Sequence, residues 1–202
     1  MKKSKKILIA FIVIVILVVI GVLAYKYLFK DDDNEVKVIK KIPAYGYNLN
    51  ENETELYKTT FDELDKILSE DNVDEKEYAK CISKLFIIDF YTLNNKLSKN
   101  DIGGTDFIME SMRDNFIEEA RSTFYKYLKV KDNNRNQRLP VVSKINSVTA
   151  EKTAFKYANK EVDENAYKVT ISWDYEEDLG YETSAKMILV KENKKLYIVE
   201  MD

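Results

Sequence analysis

The sequence predicts an α+β fold: three helices, then an antiparallel sheet of four to five strands, preceded by an apolar helix of membrane-spanning length. Three observations carry this. From about residue 53 to residue 130 apolar residues recur every three or four positions, the period of amphipathic helices. After Pro140 the period becomes two: Tyr167, Val169, Ile171, Trp173 and Tyr175 alternate with Lys168, Thr170, Ser172 and Asp174, as in a strand with one dry face. Residues 7–24, ILIAFIVIVILVVIGVLA, carry no charge. Helices first and strands afterwards give the α+β layout.

The apolar run comes first. At about 1.5 Å per residue its helix, continued through Tyr25 and Tyr27, exceeds a hydrocarbon core of ~30 Å. Residues 7–29 are therefore expected to be a single-pass transmembrane anchor. Four lysines precede the span in MKKSKK, whereas Lys26 and Lys30 run into DDDNE. The heavier basic flank stays inside, so residues 1–6 form a cytoplasmic stub and the chain beyond the span lies outside the cell membrane. Cleavage at Val22-Leu23-Ala24 as a signal peptide is the alternative, and the length of the apolar run stands against it. Residues 30–52 are charged, hold Pro43 and Gly46, and read as a tether with one short strand in VKVIKKI.

An α+β domain is expected over 53–202. NETE at 52–55 has the pattern of a capping box. It opens a helix over about 53–70 with Tyr57, Phe61, Leu64 and Leu68 on one stripe. DEKE at 74–77 repeats the cap for a second helix, about 74–97, whose LFIIDFY core is apolar almost all round and so covered on several sides. Gly103 and Gly104 supply a turn and Thr105 a cap. The third helix, about 105–130, spaces Met109, Met112, Phe116, Ala120, Phe124 and Tyr127 by three or four. KVKDNNRNQRLP is a polar loop, and the sheet occupies about 140–202. VVSKINSVTA is strand-like, KTAFKYANKE is either a further strand or a helical turn, and EEDLG and ENKK turn the last strands.

Charge narrows the partners. The chain has 32 basic and 35 acidic residues. Residues 1–30 take six lysines and no acid, leaving 31–202 at −9. Such a domain is a poor partner for nucleic acid. One cysteine permits no internal disulfide. With no histidine, Ser–His–Asp and Cys–His catalysis are excluded, and so are zinc sites, which need several nitrogen or sulfur ligands.

What remains is sparse. Cys81, beside Ile82 and Leu85, reads as a small core residue. DDDNE lacks the glycine and the closing acid of a calcium loop. The basic residues Lys126, Lys129, Lys131, Arg135 and Arg138 read as a solvated loop, and DIGGTD as a turn. Asp89, inside LFIIDFY, is the one candidate pocket acid: an unpaired carboxylate in an apolar helix would act as acid or base. The bland reading has it reach a wet edge or bond a tyrosine. The 14 tyrosines suit an interaction surface or reflect strand preference. No catalytic residue, cofactor or metal is assigned.

The closing stretch YKVTISWDYEEDLGYETSAKMILVKENKKLYIVEMD resembles the last three strands of the nuclear-transport-factor-2-like superfamily. Such a fold implies a cone of helices wrapped by a curved sheet, its final strand flanked on both sides. A single span before such a domain is similar in architecture to bitopic assembly proteins of type IV secretion and conjugation machines. With the apolar span and the absent catalytic chemistry, the scaffold role that this likeness implies gives the leading expectation: a non-enzymatic, membrane-anchored module that binds envelope proteins, with an oligomer as an open option. The alternative is a small-ligand-binding or catalytic pocket inside the same fold.

Overall fold

Pro43-Ala-Tyr-Gly46 is where the tether reading first gives way. Gly46 takes a φ of +69°, which glycine adopts without a Cβ clash, and its N–H donates to Ile42 O at 2.9 Å. The chain therefore reverses, and β1 (Val38–Ile42) pairs antiparallel with β2 (Tyr47–Asn50). Ile42, Tyr47 and Leu49 are buried, so the hairpin belongs to the core. The computed structural model describes residues 37–202, Asn133 excepted, together with Val18.

Helix α1 (Glu55–Leu68) is capped by Thr54, whose hydroxyl accepts from Tyr57 N at 3.2 Å. The cap is thus two residues later than Asn52. Its buried stripe is Tyr57, Thr60, Phe61, Leu64 and Leu68. Helix α2 (Glu75–Tyr91) starts where DEKE indicates, with Asp74 accepting from Lys76 N and Glu77 N. Eleven of its 17 residues are buried, as an all-round apolar helix requires, and it packs on α1 and against the sheet. It stops at Thr92, earlier than the expected 97, where the backbone turns extended. The expected third helix is broken: a short 3-10 turn, Thr105–Phe107, precedes α3 (Glu110–Ser122).

The sheet is a four-stranded antiparallel meander, β3 (Val142–Lys156), β4 (Val162–Tyr175), β5 (Ser184–Glu192) and β6 (Lys195–Met201), in sequence order. KTAFKYANKE resolves as strand up to Lys156. Val169, Ile171 and Trp173 are wholly buried, and Trp173 packs 5.0 Å from the Tyr91 ring of α2.

The implied superfamily cone needs a final strand with neighbours on both sides. Among the described residues β6 pairs along its length with β5 alone, and its other edge meets only an isolated parallel bridge from Ile108 to Ile198. Apolar residues on both of its faces have another cause. Leu196 and Ile198 enter the main core, while Val199 packs with Ala166 and Val190 on the far face of the sheet.

Apart from Val18, the transmembrane anchor at 7–29, the stub at 1–6 and the acidic run 31–35 lie outside the described residues. Among the described residues no helix is long and apolar enough to cross a membrane. The longest, α2, has 17 residues, about 26 Å of rise, and carries Glu75, Lys76, Glu77, Lys80, Lys84 and Asp89. The single-pass architecture, the membrane as a partner and the two-sided topology are therefore corrected: the described structure is an α+β domain with no spanning segment.

Candidate functional site: an aromatic cleft between α3 and the sheet edge

The cleft begins with two glycines. A Cβ on Gly103 would sit 2.3 Å from Asp89 O, and one on Gly104 2.7 Å from the Phe86 ring. Only glycine lets the chain cross α2 this closely, and Gly104 also takes a φ of +76°. The crossing seats Phe107 and Ile108 in the core and launches α3 beside β6. Of α3 only Ala120 is buried, with Phe116 and Ile117 partly so. The helix therefore stands off from the sheet and leaves a cleft of about 820 Å³.

Phe86, Phe90 and Tyr91 of α2 form one wall, Phe116 and Phe124 the α3 side, and Ile198 to Met201 the strand edge. Gly180, Tyr181 and Glu182 of the β4–β5 loop close one end. The rings are continuous: Phe90 lies 5.3 Å from Phe116 and 5.5 Å from Phe124, which lies 5.2 Å from Tyr91 and 5.3 Å from Tyr181. Burial, then the charge of Glu182, pushes the Tyr91 hydroxyl up to about 12, so it stays a protonated donor. Among the described residues the charged lining is three carboxylates, Glu119, Glu182 and Glu200, without a lysine or arginine.

Asp89 does not line this cleft. Its carboxylate accepts from Gly104 N at 2.6 Å and forms an ion pair with Lys96, whose side chain is 4 % exposed. Burial opposes the charge on Lys96, but the Asp89 and Glu53 carboxylates outweigh it and hold the ammonium above its ordinary pKa. Tyr125 completes the cluster, accepting from Gly103 N at 3.1 Å and donating to Phe90 O at 2.7 Å. Glu53, bonded by the Asn95 amide at 3.4 Å, is pushed up to about 7, first by burial and then by the charge of Asp89. This buried polar cluster ties the 92–104 loop to α2.

The remaining candidates fall in structural roles. Cys81 is buried, its thiol donating to Thr60 O at 3.4 Å and pushed up to about 12 by burial. Arg135 donates to Lys96 O at 2.8 Å and to Asn94 O, and Arg138 pairs with Glu177, so both arginines brace loops. Tyr47, Tyr57, Tyr78, Tyr91 and Tyr125 are buried; the Tyr78 hydroxyl joins Tyr47 of the hairpin at 2.7 Å and Leu196 N of β6 at 3.2 Å. Among the described residues no group of three His, Cys, Asp or Glu is placed to hold a metal. In the sequence most of the cleft's aromatic residues sit on the apolar stripes expected of a core. The one signal for them is the spacing of four residues along Phe116, Ala120 and Phe124, where small Ala120 leaves room between two aromatic rings.

No protein-family model, curated protein or solved structure matches the chain. The superfamily resemblance and the likeness to secretion-machine assembly proteins thus find no support.

Proposed function

We propose that this domain binds a small, largely apolar molecule in the cleft between α3 and β6, in place of the envelope-scaffold role first expected. The observation that carries the proposal is the cleft itself. About 820 Å³ falls in the range of roughly 300–1,000 Å³ typical of small-molecule sites, which are likewise apolar with a few polar groups. An empty cleft of this kind leaves aromatic surface in contact with water, and covering it stabilises the occupied form by about 25 cal/mol per Å² buried. Binding, rather than turnover, suits the lining: aromatic rings and three exposed glutamates, with the one apolar-embedded acid, Asp89, committed to Lys96 and Gly104.

The chain supplies its own reporter. Trp173 is the only tryptophan, and its ring packs against Tyr91 of the cleft wall. Titrating the full chain with the neutral dye Nile red should give saturable dye fluorescence and a matching change in Trp173 emission. Met112, 40 % exposed at the mouth, is the place to block entry. Met112→Trp should weaken the dye at least about tenfold, the loss expected when an occupant is sterically displaced, with the melting temperature unchanged. Dye binding that never saturates, or that ignores Met112→Trp, would refute the cleft as a site.

A further inference from the structure

We infer that the cleft selects an organic cation: a ring-bearing apolar body carrying one ammonium group. The inference rests on the cleft being a small-ligand site, and it adds the sign of the ligand's charge. Glu119 comes from α3, Glu182 from the β4–β5 loop and Glu200 from β6. Three separate elements thus bring carboxylates to one opening. None of the three is in an ion pair among the described residues, so none of the described lysines or arginines pairs with them.

Arg113 of α3 does not offset this. The Arg113 guanidinium is turned back on the preceding turn, donating to Thr105 O at 3.1 Å and Ile108 O at 3.5 Å. The rest of α3 adds Glu110, Asp114 and Glu118 against Arg121. Behind the rim stands the aromatic wall, whose ring faces attract cations within about 6 Å. A cation leaving water here meets carboxylates at the mouth and π faces deeper in. An anion of the same shape meets repulsion at the mouth and, among the described lining, only neutral donors: the Tyr91 and Tyr181 hydroxyls and the Asn115 amide, the Thr123 hydroxyl being given to Glu119 O. The glutamates are exposed and their attraction is screened by salt, so the selectivity should be moderate and salt-dependent.

A matched series tests this with the full chain: 2-(1-naphthyl)ethylamine, 2-(1-naphthyl)ethanol and 1-naphthaleneacetate, read by displacement of Nile red. The amine should bind at least about fivefold tighter than the alcohol at low salt and the acetate weakest, with the gap narrowing at about 0.5 M salt. The triple variant Glu119→Gln, Glu182→Gln, Glu200→Gln should abolish the difference between the amine and the alcohol when both are measured on that variant. Equal binding of all three compounds would overturn the charge preference and leave the cleft standing. So would an amine preference that survives the triple variant. Should none of the three displace the dye, the cleft reading fails, and the cation preference fails with it.

Discussion

At the scale of single residues, the chain carries an isolated titration. It has no histidine, and ordinary carboxylates finish titrating well below pH 7, so few groups change charge between pH 6 and 7.5. Glu53 does, because burial, then Asp89 and Asp101, move its carboxyl from the ordinary 4.5 to about 7 against the pull of Lys96 and Asn95. The folded protein holds this proton where the unfolded chain has released it. Stability should therefore fall as pH rises from about 4.5 to 7 and level off above, by at most about 3 kcal/mol from this group. Glu53→Gln should flatten that slope and make the protein more stable than wild type at pH 8, as chemical denaturation at several pH values would show. A wild-type slope that persists in the variant would place the proton elsewhere. Asp89 was legible in the sequence as an oddity. Its partner Lys96 was not, because they meet only once α2 ends and the loop folds back.

Among the elements, those built on one repeating pattern were legible, as were the turns at EEDLG and ENKK, whereas the reversal at Pro43–Gly46 was not. The alternation from Tyr167 to Tyr175 placed Val169, Ile171 and Trp173 on the dry face, and all three are wholly buried. Trp173→Ala should cost about 3–5 kcal/mol, as expected for truncating a large buried ring. Thr170→Ala, on the exposed face, should shift the unfolding midpoint far less. Similar midpoints for the two variants would mean that β4 is not anchored by its ring. Of the β1–β2 hairpin the first strand was legible in VKVIKKI, but the reversal and the second strand were not, because Pro43 and Gly46 mark both tethers and turns. Only the burial of Tyr47 and its bond to Tyr78 decide for the turn. In α3 the apolar spacing was visible, but spacing cannot tell a stripe packed on a sheet from one that lines a gap.

For the molecule as a whole, packing is unevenly distributed, and the cleft lies where it is thinnest. Helix α2 buries eleven residues among α1, β3, β4 and β6, whereas α3 buries one and is joined to the core at its ends, by Ile108 before it and by Tyr125 and Leu128 after it. Segments with few buried apolar contacts open at lower free energy than the core they border. Amide exchange in α3 should then be at least about tenfold faster than in α2 in the ligand-free protein. A ligand that bridges α3 and β6 binds the closed form only, so at about 100 times its Kd it adds roughly 2.7 kcal/mol. Much of that should appear as slower exchange in α3 and in residues 198–201, with α1 and α2 changed little. Hydrogen exchange followed by mass spectrometry reads these segments separately. Slowing spread evenly over the domain would indicate that the ligand holds no particular seam. Exchange in α3 that is already as slow as in α2 would show a rigid cleft, whose occupancy the Trp173 signal alone would report.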